Sequence, residues 1–243
     1  MTTPRDVLPI ALVGLGRMGR AIETLASDRG CEVVARLGPD EMDSLSTAAL
    51  NGARVAIEFT RPEAALTNAR TLLALGCPVV VGTTGWTKQL AELEEAVRVN
   101  GTAALWAPNF SIGVQLFLDI AEEAARRLRE VSGFDAHVVE THHTAKKDAP
   151  SGTAIAIADR LAAGLGHPVP ISSVRVGSVP GTHEIILDAP FEQIRLVHEA
   201  RDRRVFADGA LTAARWLAQR HQQQQQAPAL YSMRDVLRTP SSS

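Results

Sequence analysis

At 243 residues with 45% hydrophobic side chains, the chain is long enough to bury one large core or two modest ones. Its 25 Lys plus Arg against 27 Asp plus Glu leave a net charge of -2, which gives no electrostatic reason to expect nucleic acid or an anionic membrane surface as a partner. No stretch approaches the roughly 20 uninterrupted apolar residues of a membrane span, and the early apolar run ends in a glycine turn with arginines rather than a cleavage site, so a cytoplasmic protein acting on a small partner is expected.

The first 110 residues alternate short β-branched runs with amphipathic stretches, the pattern of a parallel sheet wound with helices. Strands are predicted over residues 9–13, 32–37, 55–59, 79–81 and 103–106, and helices over 17–27, 63–75 and 88–100. The two cysteines, Cys31 and Cys77, each fall near a predicted strand and read as buried thiols rather than a disulfide framework. From Val114 a helix carries apolar residues at Phe117, Leu118, Ala121, Ala125 and Leu128, one buried stripe, and opens a second domain. There the pattern changes to α+β: a strand over 136–141, a donor-rich loop, a helix over 154–165, and period-two stretches around Val174, Ile185 and Leu196. Such strands make an open sheet with one helical face and one face needing cover, which suggests self-association through the sheet. Residues 221–228, with five consecutive glutamines at 222–226, read as a polar connection; 230–237 is predicted as a short helix, and 239–243 should fray.

Gly14-Leu15-Gly16-Arg17-Met18-Gly19 follows an apolar strand directly and opens a helix, the context that turns a common glycine pattern into a phosphate-binding one. Gly14 permits the tight turn, Gly16 lets backbone approach a pyrophosphate, and Gly19 lets helix pack closely on strand. The acid that usually grips the adenosine ribose at the end of the second strand is missing; Arg36 is available for a 2′-phosphate and Asp40 is the nearest candidate for ribose hydroxyls. NADH and NADPH both stay open as cofactor. Two further strand ends, Phe59-Thr60 and Gly82-Thr83-Thr84, fall where ligands sit in doubly wound sheets, with Thr60 and Thr87 also fit to cap helices. Pro108, Asn109 and Phe110, after the fifth strand, are candidates for both hinge and nicotinamide contact.

Residues 140–153, E-T-H-H-T-A-K-K-D-A-P-S-G-T, describe a site for a small dianion. His142, His143, Lys146 and Lys147 supply donors and positive charge, while Ser151-Gly152-Thr153 leads into an apolar helix whose first amides lack intrahelical partners. Pro150 stiffens the turn and Gly152 frees backbone to approach a ligand. No metal-ligand set is assigned.

The sequence resembles the 4-hydroxy-tetrahydrodipicolinate (dihydrodipicolinate) reductase family along nearly its whole length. The resemblance runs through residues 13–19, Phe59-Thr60-x-Pro62, 81–85, 109–114, 140–153, 206–210 and 233–237, of which the E-x-H-H-x-x-K-x-D-A-P-S-G-T segment is the most specific. It implies a Rossmann-like, doubly wound parallel-sheet domain over 1–110, joined by the carboxyl-terminal segment from about 214 to 243. It also implies an α+β substrate and oligomerisation domain with an open mixed sheet over 111–213, assembled as a homotetramer. The implied reaction is reduction of a cyclic imine dicarboxylate by NADH or NADPH. His142 then takes the acid role and Lys146 donates a proton. His143 holds one carboxylate, while Gly152 and Thr153, following Ser151, offer amides and a hydroxyl to the other. Gly14, Arg17, Met18, Gly82, Thr84 and Asn109 match cofactor positions. Many members have one more residue in the glycine turn and an acid near Gly38, so cofactor preference does not carry over. A two-domain amino-acid dehydrogenase and a non-catalytic nicotinamide sensor are the competing readings, but neither accounts for the dinucleotide crevice and the paired histidines beside Lys146 together.

Overall fold

The computed structural model describes residues 7–43, 45–223 and 228–238; the predicted polar connection beyond Gln223 and the tail 239–243 lie outside the described residues. The first half runs β1 (Leu8–Val13), α1 (Arg17–Ala26), β2 (Cys31–Leu37), α2 (Pro39–Asp43), β3 (Val55–Glu58), α3 (Pro62–Ala74), β4 (Val79–Val81), α4 (Leu90–Asn100) and β5 (Ala104–Trp106). Then follow α5 (Ile112–Leu128), β6 (Asp135–His142), α6 (Gly152–Leu165), β7 (Ile171–Arg175), β8 (Thr182–Ala189), β9 (Glu192–Glu199), α7 (Arg204–Gln223), β10 (Leu230–Tyr231) and α8 (Met233–Arg238). Contacts divide the chain into two compact units, with boundaries between Phe110 and Ser111 and between Val205 and Phe206.

In the first unit the strands form one sheet in the order β10-β5-β4-β3-β1-β2, every neighbouring pair parallel. Parallel neighbours need crossovers, and the amphipathic segments between the strands supply them. Ile10 and Leu12 point to one face of β1, Ala11 and Val13 to the other, and all four are buried, as a sheet covered on both sides requires. The apolar sides of α3 and α4 pack on Ala11, Val13, Val79, Val81 and Ala104. The sheet is Rossmann-like, and the direction of winding reverses between β1 and β3, where such folds open their ligand crevice.

Two expectations change here. The chain returns to the first unit at Phe206 rather than near 214, because α7 is a long helix fastened there at its start: a β-carbon on Gly209 would come within 1.7 Å of the Phe110 carbonyl oxygen, and Arg215 donates to the Gly30 carbonyl at 2.6 Å. Residues 230–237 are not one helix. The open edge of β5 takes Leu230 and Tyr231 as a parallel strand opposite Ala104 and Leu105, and α8 begins only after Ser232, whose amide and hydroxyl both donate to Asp235. Cys31 and Cys77 are free and buried, as expected, and burial pushes the Cys77 thiol up to about 12.

The second unit carries a mixed sheet, β7-β6-β8-β9, in which β6 and β7 are parallel and the other pairs antiparallel. One face buries Val138, Ile185 and Leu187, with Leu196 partly covered, against Phe117, Ala121, Ile157 and Leu161 of α5 and α6. The opposite face presents Val139, Val174, Ile186 and Val197, of which Val174 and Val197 are exposed.

Candidate active site

In the first unit the predicted cofactor residues gather at the carboxyl ends of β1, β3 and β4. Gly14 has φ +94°, and a β-carbon there would lie 2.2 Å from the Phe59 carbonyl oxygen; one on Gly19 would lie 2.1 Å from that of Gly14. The turn is therefore closed on its inner side. It is open at Gly16, where an added β-carbon meets nothing within 4 Å, and at exposed Arg17, the first residue of α1. A helix start with bare backbone toward solvent is a cradle for a pyrophosphate, so these residues fit a dinucleotide. Met18 is half-buried. The Phe59 ring covers Gly82 and lies 5.8 Å from the Phe110 ring, whereas Thr84 and Pro108 are exposed and Asn109 half-buried. Arg36 does not reach outward alone: its guanidinium holds Glu23 at 2.6 Å. Just after β2, Glu41 accepts the Gly38 amide at 2.9 Å.

Thr60 and Thr87 cap no helix, since Arg61 and Gln89 hold the N-cap positions of α3 and α4. Thr60 instead serves Glu58, a wholly buried carboxyl at the end of β3. The Thr60 amide lies 3.1 Å from Glu58 Oε1 and 2.8 Å from the Thr83 hydroxyl, and the Thr60 hydroxyl bonds the same carboxyl. Burial raises the Glu58 carboxyl above its ordinary 4.5, against the opposing hydrogen bonds from Thr60, Thr83 and Asn68. A raised folded-state value means that the folded protein prefers the protonated acid. This contribution is fully present below the unfolded value and is lost as pH rises through the raised one. Glu58→Gln, uncharged at every pH, should therefore gain thermal stability relative to the parent as pH rises above 4.5, and the two melting curves should converge toward acid.

In the second unit the pleat and the register build a polar cluster of its own. Ala136, Val138, Glu140 and His142 share one face of β6, because alternate residues point the same way. Ser173 of β7 and His183 of β8 flank Glu140, His198 of β9 flanks His183, and Arg175 flanks His142. A face that is apolar at Val138, Ile185 and Leu196 thus turns polar one row further on. Arg175 donates to Glu140 Oε1 at 2.7 Å, and the Ser151 amide lies 3.3 Å from the same oxygen. His142 Nδ1 lies against Glu140 Oε2. The His142 and His183 rings meet edge to face at 5.2 Å, with the His198 ring 6.4 Å from His183. Ser151 caps α6, accepting the Ala154 amide at 3.2 Å, and its hydroxyl lies 3.3 Å from His183 Nε2. The helix accordingly starts at Gly152, after a cis Ala149-Pro150 bond, rather than at 154.

Burial works to raise the Glu140 carboxyl, but hydrogen bonds from Arg175 and Ser173 and the charges of His142 and Arg175 outweigh it and hold the group at about 2. Burial lowers His142, with Glu140 pulling the other way, and lowers His183 to about 4 with the help of its two neighbouring imidazoles. A buried anion is thus fixed behind two imidazoles that stay neutral near pH 7. Lys146 Nζ donates to both oxygens of Asp148, at 2.8 and 2.9 Å. Arg203 donates to His143 Nε2 at 3.1 Å, while Lys147 points to solvent.

Within this unit Glu140, His142, Ser151 and the α6 start are brought together; His143 and Lys146 stand on the adjoining loop, each already paired. Gly152 is exposed and Thr153 half-buried. Sequence reasoning missed Arg175, His183, His198 and Arg203. The signal for the two histidines was present: the apolar alternation of β8 begins with one and that of β9 ends in one, as does that of β6.

Comparison with known proteins bears on the whole chain. A family model described as "Dihydrodipicolinate reductase, N-terminus" matches residues 8–110, and one described as "Dihydrodipicolinate reductase, C-terminus" matches residues 113–237. The 4-hydroxy-tetrahydrodipicolinate reductase of Thiobacillus denitrificans is 35% identical over 94% of this chain and 97% of its own, and that of Methanosarcina mazei is 34% identical over 98% and 92%. Among solved structures, a dipicolinate-bound dihydrodipicolinate reductase from Paenisporosarcina sp. TG-14 superposes with a TM-score of 0.75 at 25% identity, over 93% of this chain and 97% of that one. Matches that span both units make this chain a member of the dihydrodipicolinate reductase family.

Proposed function

We propose that the protein reduces 4-hydroxy-tetrahydrodipicolinate, by way of dihydrodipicolinate formed on loss of water, to tetrahydrodipicolinate with NADH or NADPH, in the cytoplasm, as a step of lysine and diaminopimelate biosynthesis. The observation that carries this reading is the second unit's concentration of donors at one end of its sheet: the Glu140–His142–Arg175 row, the Lys146 and His143–Arg203 pairs, and the amino-terminal start of α6. Two carboxylates need two sets of donors. His143 with Arg203 offers one, as a guanidinium and an imidazole side by side. Gly152 and Thr153 at the helix start offer the other.

A bound nicotinamide supplies the hydride. The chain's own part is to hold the dinucleotide at Gly14, Gly16 and Arg17, to hold the dicarboxylate, and to deliver a proton. Lys146 delivers it. His142, kept neutral by burial and oriented by Glu140, hydrogen-bonds the substrate. Self-association into a homotetramer uses the outer face of the second sheet, where Val139, Val174, Ile186 and Val197 are left without cover from this chain's own helices.

The planar analogue pyridine-2,6-dicarboxylate tests the recognition step. Calorimetry should show it binding the wild-type chain and competing with substrate, and Arg203→Ala should weaken binding by about 10- to 100-fold, the usual worth of a charge-assisted hydrogen bond. Binding that neither competes with substrate nor depends on Arg203 would contradict this assignment.

A further inference from the structure

The polar row across the ends of β6, β8 and β9 holds more donor atoms than its own hydrogen bonds use. Glu140 is wholly buried, and His142 and His183 are 7% and 5% exposed. Arg175 and the Ser151 amide take Oε1 of Glu140, its Oε2 and Nδ1 of His142 meet only each other, and Nδ1 of His183 has no hydrogen-bond partner. Buried polar atoms in this condition are rare enough to need a cause, and a bound ion is one of the few. A donor atom from each of the three side chains lies within 4.8 Å of the others. Small rotamer adjustments bring such a set to the roughly 2.0–2.2 Å that a zinc ion keeps from nitrogen and oxygen.

We propose that Glu140, His142 and His183 form a binding site for one divalent transition-metal ion of the zinc type, and that an ion bound there competes with the reduction by occupying the His142 imidazole. Two imidazoles and a carboxylate are a borderline N/O set, suited to zinc, cobalt, nickel or copper and not to magnesium or calcium, which prefer oxygen throughout. A metal takes the neutral, lone-pair form of each imidazole, so its binding weakens as pH falls. Arg175 and the Ser151 amide fix the carboxylate from behind, the outer support that ligating carboxylates commonly have. Asp148 already offsets Lys146, and Arg175 engages Oε1 of Glu140, which leaves Oε2 to face the ion. A remaining coordination position takes water or an anion. Binding itself is independent of the functional reading, whereas the competition rests on it.

The test is a titration of the chelator-treated chain with Co²⁺, followed by visible ligand-field absorption and by calorimetry. The expected result is one Co²⁺ per chain in a low-coordinate, nitrogen-containing site, displaced by Zn²⁺. His183→Ala should weaken binding by at least about 100-fold, the upper end of what loss of an outer-sphere partner costs. His167→Ala, which removes an exposed histidine outside the cluster, should leave binding unchanged. Circular dichroism checks that His183→Ala is folded; if it is not, His183→Asn replaces it as a variant close in shape that ligates poorly. Absence of stoichiometric binding, or binding of equal strength in the His183 variants, overturns the site. Stoichiometric binding that leaves turnover untouched overturns the competition alone, and the functional reading then stands or falls on its own assay.

Discussion

Lys146→Ala is expected to lower turnover by about 10² to 10⁴-fold while leaving cofactor affinity unchanged, the range in which a positioned general acid acts. Hydride addition to a conjugated carbon-carbon and imine system leaves electron density at its far end, and a proton must meet it there. Lys146 stands on the short loop between β6 and α6, only partly exposed and held by both oxygens of Asp148, and the proposed role asks it to deliver that proton. An exposed ion pair of this kind is worth little, about 0–1 kcal/mol. The ammonium can therefore leave Asp148 for the reacting centre at small cost. The loss should appear in kcat as well as in kcat/KM, because the interaction is realised as charge develops rather than on binding. A purely structural or binding role would raise KM and spare kcat. Steady-state kinetics of the variant, with cofactor binding followed by fluorescence, separates the two.

The second large effect divides two glycines that look alike in sequence. Gly14→Ala should destabilise the first unit, because the new β-carbon would have both a positive φ and a backbone oxygen 2.2 Å away. The left-handed conformation costs about 1–2 kcal/mol and the overpacking about 1–3, together about 2–5 kcal/mol. Thermal unfolding should fall by roughly 5–20 °C for units of this size. Gly16→Ala meets no protein atom within 4 Å, so its fold and melting temperature should be preserved. Its β-carbon projects instead where the pyrophosphate approaches, and cofactor affinity should drop by roughly tenfold or more, the consequence of about 1–3 kcal/mol of intrusion into a close contact. Equal melting temperatures for the two variants, or a Gly16→Ala variant that binds dinucleotide normally, would refute this division.

The parts that the sequence made legible are those with a local cause. Apolar runs bounded by glycine turns marked β1 to β5 within a residue or two, and the three-and-four spacing from Val114 marked α5. The donor-rich loop was visible because its residues are contiguous. What stayed hidden depends on register. Arg175 reaches Glu140 only because β7 lies parallel to β6, and His183 and His198 join the row only because β8 and β9 pair with it in one alignment. In β9 the histidine follows the apolar residues of its face and in β8 it precedes them, a period-two signal that acquires meaning once the strands are laid side by side. The pairing of Arg36 with Glu23 and of Arg203 with His143 likewise depends on where side chains turn, which spacing does not encode. The two-residue β10 had too little length for a pattern and exists because β5 offers it an open edge.

The most direct test of the account is substrate-dependent oxidation of the cofactor. Freshly generated 4-hydroxy-tetrahydrodipicolinate is added to the purified protein with NADH and, in parallel, with NADPH, and cofactor absorbance is followed beside the Lys146→Ala variant. The account predicts that absorbance falls only when substrate is present, with at least one of the two cofactors, and that the variant is slowed into the range given above. Cofactor binding with no oxidation on addition of substrate would contradict it.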